Sequence, residues 1–409
     1  VTLIEFLLLL TVFLTPLLGA SFNFGYEQIK VLFFIVSISL SGFLWLMRRP
    51  IFRWTGISIV AGLFIITLFV TSIIGIEPQT SFFGSEPYFQ GVILYAYLFL
   101  FFLLVSASKI KFVTWAYVLV GSSTIVGLLA IGDWIQINLL GHQLPTYAGR
   151  VVSTFGQPNF YAGFLLLTLP FFNFLLKQKQ KGFWILLGFL IVILAIILSE
   201  SRVAFMLLSL LLLLWLILEL PFKKLIFGVI SMILFITFAL SVNFGAGWVE
   251  KELTSLRSNI NPDLTTIGVE KRYYIWPILG KLILEHPVTG YGLENIAPVF
   301  SEYFEINKHT LFEENLKVKP YLFGLKDLNL DRAHNYLLDL LLFSGIFGVV
   351  CWAIIVFLLI KKLLLSKVTL ENNVLWVGLI TYLVWIQFQN QSVVHLIYFW
   401  LLVGLVDQD

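Results

Sequence analysis

The sequence predicts an all-α, polytopic integral membrane protein, and three observations carry that reading. Of its 409 residues 59% are hydrophobic and only 12% charged, about half the charge of an ordinary soluble domain. Apolar runs of the roughly 20 residues needed to cross a bilayer recur along the chain. The basic residues gather in alternate connections between those runs, as membrane insertion requires. Such a composition excludes a soluble enzyme, and forty Phe, fifteen Tyr and twelve Trp exclude disorder. The single cysteine, Cys351, has no partner for a disulfide or a cysteine metal site. The chain opens on Val1, which reads as a trimmed end or a valine-coded start, and no signal-peptide cleavage site followed by a soluble domain is expected.

Twelve transmembrane helices are expected, at 3–20, 31–47, 57–75, 91–108, 111–131, 159–176, 182–198, 203–220, 222–243, 334–360, 372–388 and 393–406. The stretch from 203 to 243 is longer than any bilayer, so the break around Pro221 divides it in two. With the N-terminus inside, the inner connections carry Arg48, Arg49, Arg53, Lys109, Lys111, Lys177, Lys179, Lys181, Lys223, Lys224, Lys361, Lys362 and Lys367, thirteen basic residues in all. The short outer loops hold only Lys30, Arg150 and Arg202 near the membrane, so both termini read as cytoplasmic. The organisation that follows is nine spans in 1–243, one large periplasmic or extracellular loop in 244–333, and three spans in 334–409. That loop carries ten basic and twelve acidic residues. No inner loop is large enough for a domain, so chemistry belongs on the outer face.

Polar residues interrupt the apolar pattern at a few outer positions. The connection from Gly149 and Arg150 through Gln157, Pro158 and Asn159 either caps a helix or faces a ligand, and Gly156 and Gly163 allow close backbone approach. In the next outer turn, Ser199-Glu200-Ser201-Arg202, the arginine lies on the side that the positive-inside rule disfavours. Its guanidinium either snorkels to the interface or forks onto phosphate oxygens. Within the large loop, Glu270 to Ile283 sets apolar residues at helical spacing and reads as an amphipathic helix along the outer membrane face. Pro287, Gly290 and Gly292 stop it, and a second, polar helix is expected around 294–316.

His334 lies at the boundary of the tenth span with Asp331, Arg332 and Asn335 beside it. It either caps that helix or, as neutral imidazole, accepts a proton from a substrate hydroxyl. His142, His286, His309 and His395 are isolated and read as structural or solvated. No Asp-x-Asp pair, histidine pair at helical spacing or cysteine cluster offers metal ligands, so no metal and no cofactor is expected. Arg150, Arg202 and Arg272 offer the charge neutralisation that a divalent cation supplies elsewhere. The large loop is charge-balanced and has no basic run, which argues against nucleic acid.

Taken in order, Ser153-Thr154-Phe155-Gly156-Gln157-Pro158-Asn159, Ser199-Glu200-Ser201-Arg202, Arg272 through Trp276 to Gly290-Tyr291-Gly292, and His334-Asn335 with Ser344-Gly345 resemble the O-antigen ligase and polymerase family. Ser81 to Gly84 and Gln90-Gly91 resemble a further element of it. This sequence departs from the family pattern at Gln157, often Asn, at Tyr88 or Phe89, where a basic residue is common, and at Phe343, where an acidic one is. The resemblance implies a membrane glycosyltransferase with a GT-C-like core. It would take a glycan from an undecaprenyl-diphosphate carrier and pass it to an acceptor at the outer face of the bacterial cytoplasmic membrane, with lipopolysaccharide or another cell-envelope polysaccharide as product.

By position Arg202 and Arg272 match the family arginines that hold the diphosphate, and His334 the histidine needed for transfer. Arg150, Gln157, Asn159, Gly290, Gly292 and Asn335 are the expected substrate-binding residues. The expected reaction is metal-independent and inverts the anomeric centre. The acceptor is lipid A core sugar for a ligase, a second carrier-linked glycan for a polymerase, or a Ser/Thr for a protein O-oligosaccharyltransferase. A transporter or lipid flippase is the alternative of another class, but ionisable residues are nearly absent from mid-span and no repeated half is apparent.

Overall fold

The computed structural model describes residues 2–20, 24–48, 54–178, 182–219, 269–314, 330 and 332–408. Its helices follow the apolar runs: α1 (Leu3–Leu14, continued by a 3₁₀ turn Thr15–Leu17), α2 (Tyr26–Met47), α3 (Gly56–Ile73), the short α4 (Pro78–Phe83), α5 (Val92–Ser106), α6 (Phe112–Asn138), α7 (Pro158–Lys177), α8 (Gly182–Leu198) and α9 (Arg202–Glu219). After them come α10 (Val269–Glu285), α11 (Ile296–Glu314), α12 (Tyr336–Leu365), α13 (Leu370–Trp385) and α14 (Val393–Asp407). The expected span at 222–243 and the loop segments 244–268 and 315–329 lie outside the described residues. Among the described residues five helices, α2, α3, α6, α7 and α12, are long and apolar enough to cross a membrane on their own. The all-α membrane class rests on these, and the expectation of twelve spans goes beyond what length and hydropathy carry. Among the described residues one hairpin departs from the all-α pattern: β1 (Thr146–Tyr147) pairs antiparallel with β2 (Arg150–Val151). Its two-residue turn, Ala148-Gly149, has φ of 50 and 77°, the turn geometry whose twist suits paired strands.

Two helices form the centre. Nearly every residue of α7 and all of α14 are buried, as expected of helices apolar all round. Around them α3 packs along α12, α5 along α14 and α2, and α6 along α7 and α8. Pro158 at the first turn of α7 needs no hydrogen bond for its nitrogen there. At α14 the cap is reciprocal: Ser392 Oγ accepts from Val394 N, and His395 Nδ1 accepts from Ser392 N at 3.0 Å.

Two sequence expectations are corrected. The second span begins at Tyr26, not 31, so Glu27 and Lys30 belong to its first turns and are buried. Helix α10 does not spend its apolar face on the membrane surface. Ile275, Ile278, Leu279 and Leu282 are buried in the protein core, and the helix packs against α12. Hydropathy cannot separate these outcomes, because lipid and a protein core are equally apolar.

Helix α12 is broken at Gly345, where φ is 59° and ψ −159°. A break frees backbone groups that a membrane interior cannot hydrate. The loop after α10 takes them up: Tyr291 N donates to Leu342 O at 2.7 Å, Gly292 N to Phe343 O at 3.0 Å, and Ile346 N to Pro287 O at 2.9 Å. Tyr291 O in turn accepts from Ile76 N at 3.1 Å, which ties in the connection after α3.

Candidate functional site

The N-terminal ends of α2, α7, α12 and α14 are joined by hydrogen bonds into one polar end of the bundle. Glu27, one residue into α2, accepts from Ser392 Oγ at 2.9 Å and Val393 N at 2.7 Å. Lys30 Nζ, one turn on, donates to Thr154 O at 2.6 Å and holds the turn leading into α7. The connection Gln387–Gln391 binds several neighbours. Asn159 Nδ2 donates to Gln389 Oε1 at 3.0 Å, Asn335 Nδ2 to Gln387 O at 3.4 Å, Gln90 Nε2 to Gln391 O at 2.7 Å, and Asn390 Nδ2 to the Tyr88 hydroxyl at 2.7 Å.

Backbone conformation marks the same end. Phe89, Ala148, Ser153, Glu200, Glu294 and His334 are non-glycine residues with positive φ, and all lie in its loops. Such conformations cost free energy and persist where the surroundings fix them, commonly at functional sites.

Of the expected site residues, Arg150 and Arg202 come together. The hairpin carries Arg150, whose Nη1 donates to Glu200 O at 3.3 Å, while Arg202 opens α9 two residues on and is exposed. Burial pulls the Arg150 pKa down, the Glu200 carboxylate opposes that shift, and the charge of Arg202 adds to it. Glu200 is pushed up by its own burial, with Arg150 acting the other way. The corner thus carries two guanidinium groups beside a carboxyl that resists ionising. Gln157 stands at the N-cap of α7 with its Oε1 buried and no hydrogen-bond partner, and Asn159 is held by Gln389. Arg272 lies on α10, one turn before Trp276; its side chain is outside the described residues.

His334 is half-buried, with φ of 56°. The residue that caps α12 is Asn335, whose side chain accepts from Leu338 N at 3.1 Å, so helix capping is not the role of His334. Before it, Ala333 N donates to Asp339 Oδ1 at 2.6 Å, and Ala333 O accepts from Trp276 Nε1 at 2.9 Å. Gly290 and Gly292 serve packing. A Cβ on Gly290 would lie 2.5 Å from Leu342 O, and one on Gly292 2.7 Å from Ser81 Oγ.

Sequence reasoning passed over the Glu27–Lys30 turn, the Gln387–Gln391 connection and one buried ion pair. Arg332 pairs with Glu294. Its guanidinium stacks 4.5 Å from the Tyr88 ring and 5.1 Å from that of Phe343. Burial alone would weaken the Arg332 charge, but Glu294 and Asp339 more than offset it and hold its pKa above the ordinary value. The legible signals were Arg332 beside His334 and the departures from the family pattern at Tyr88 or Phe89 and at Phe343. Among the described residues no three His, Cys, Asp or Glu side chains gather where they would hold a metal ion.

Helices long and apolar enough to cross a membrane, joined at one polar end, define the class as an all-α integral membrane protein. Residues 187–353 match the family model described as O-antigen ligase, a match that supports the resemblance of the chain to that family. The matched segment runs from α8 past Arg202, Arg272, Gly290, Gly292, His334 and the break at Gly345 into the second half of α12. The family is one of membrane glycan ligases and polymerases. No curated protein matches the chain in sequence.

Proposed function

We propose that the protein transfers a glycan from an undecaprenyl-diphosphate carrier to an acceptor hydroxyl at the outer face of the bacterial cytoplasmic membrane, as an O-antigen ligase. The observation that carries this reading is the pairing of Arg150 and Arg202 across Glu200 in a protein whose His334 is presented by a hydrogen-bonded loop. The thirteen basic residues that the sequence gathers in alternate connections support an outward-facing site and cytoplasmic termini.

In this reaction the acceptor hydroxyl gives its proton to the His334 imidazole as its oxygen bonds to the anomeric carbon. The bond from that carbon to the diphosphate oxygen breaks with its electron pair, leaving diphosphate on the carrier and inverting the anomeric centre. Arg150, Arg202 and Arg272 neutralise the departing charge, with bidentate forks suited to phosphate oxygens, and no divalent cation takes part. The positive ends of the helices that begin here add to that field. The free acceptor oxygen of Gln157 and the amides of Asn159 and Asn335 suit sugar hydroxyls, while Gly290 and Gly292 act by setting the loop on which the acceptor side is built. The acceptor of a ligase is lipid A core sugar; a polymerase or a protein oligosaccharyltransferase would run the same step with another hydroxyl.

The test is purified protein with carrier-linked glycan and each acceptor in turn, read by mass analysis of the product. His334→Asn is the decisive variant, because Asn tolerates positive φ. Transfer should fall by about 10²–10⁴-fold, the range for a lost general base, with donor binding retained. Transfer by His334→Asn at the wild-type rate would overturn the scheme.

A further inference from the structure

We infer that Glu294 and Arg332 form a buried positioning pair that fixes His334, an inference that rests on the proposed role of that histidine. Both residues are buried, so neither is offered to substrate. Their charges are costly to keep there, and replacing a buried ion pair with apolar residues is often neutral or stabilising. What the pair supplies is geometry.

Arg332 stands two residues before His334. Its Nη2 reaches Gln90 Oε1 at 3.4 Å as well as Glu294, and the rings of Tyr88 and Phe343 leave the guanidinium little freedom to turn. Glu294 uses its other oxygen, Oε2, to accept from Ser85 Oγ at 3.0 Å. It follows Gly292, whose backbone is bonded to the break in α12. The pair therefore joins the His334 loop to the broken helix and to the connection before α5. Between Arg332 and His334 there is no slack, because Ala333 is tied at both its N–H and its carbonyl. Glu294 and His334 both hold positive φ, 63 and 56°, which needs surroundings that over-determine them. With the pair gone, His334 is free to relax to negative φ and carry its imidazole away from the acceptor.

The experiment uses the full-length protein with carrier-linked donor and a glycan acceptor, comparing wild type, Glu294→Gln and the pairless Glu294→Leu/Arg332→Met. Both variants should insert and bind donor as the wild type does, while kcat falls on the order of 10²-fold, the cost of a misplacement of about 1 Å. In a His334→Asn background, pair removal should change the residual rate by no more than about twofold, because both changes act on one group. A wild-type kcat without the pair overturns the inference. So does an equal further fall in the His334→Asn background, or a loss of donor affinity parallel to kcat. If the double variant does not insert, Glu294→Gln decides by the same criteria. An active His334→Asn protein counts against the base itself, whereas an active pairless protein beside an inactive His334→Asn counts against the pair alone.

Discussion

Replacing Gly290 by alanine separates a glycine that contacts substrate from one that lets two backbones meet. At φ of 62° a side chain meets the left-handed penalty of about 1–2 kcal/mol. The new Cβ would also stand 2.5 Å from Leu342 O and 2.7 Å from Ser344 N, both backbone atoms that have no rotamer to change. The loop must back away, which breaks the bonds from Tyr291 N to Leu342 O and from Gly292 N to Phe343 O. Each is worth about 1 kcal/mol net, and more where a carbonyl is left buried and unpaired. Together these costs come to about 3–5 kcal/mol, a large fraction of a typical margin of about 5–15 kcal/mol. The reference is Gly132→Ala in α6, where a Cβ meets nothing within 4 Å and helix propensity favours alanine by up to about 1 kcal/mol. Thermal unfolding in detergent, with donor affinity measured on the surviving folded fraction, is the assay. Gly290→Ala should unfold well below wild type and Gly132→Ala at or above it. If Gly290→Ala unfolds like Gly132→Ala but binds donor poorly, the glycine serves the ligand and the packing argument fails.

Arg202→Lys keeps the charge but loses the fork; transfer should drop on the order of 10-fold or more with insertion unchanged, and wild-type transfer should persist in excess chelator, where a loss restored by magnesium or manganese would defeat the arginine argument. In a protein whose Cys351 is replaced by Ala, Gln178→Cys should be shielded from an impermeant thiol reagent in intact cells and Lys308→Cys should react; the reverse pattern would invert the proposed orientation. Glu200, whose pKa is raised by burial, repels a bound diphosphate once ionised, so donor affinity should hold steady while Glu200 is protonated and fall as pH rises through its raised pKa; Glu200→Gln should flatten that dependence, and a dependence unchanged in Glu200→Gln would assign it to another group.

How far the site was legible depended on the range of its interactions. Arg202 and His334 stood out because a basic or polar residue at the edge of an apolar run is a local anomaly. Gly290, Gly292 and Gly345 were visible as glycines, but their work, passing hydrogen bonds from a broken helix to a loop, joins segments that no window spans. The pairing of Arg332 with Glu294 crosses 38 residues, and the bond of Glu27 to Ser392 crosses 365. As a single letter, Lys30 read as a basic residue of a short outer loop.

By itself the sequence determined the class of protein, the positions of most helices and the end of the bundle at which polar residues gather, because transfer from water to an apolar phase is a sum over local residues. Only the tertiary structure decided which apolar faces meet protein and which meet lipid. It turned α10 inward, buried most of α7 and buried α14 completely. The reason is that lipid chains and side chains are equally good apolar partners, so the choice falls to shape and to hydrogen bonds between distant segments.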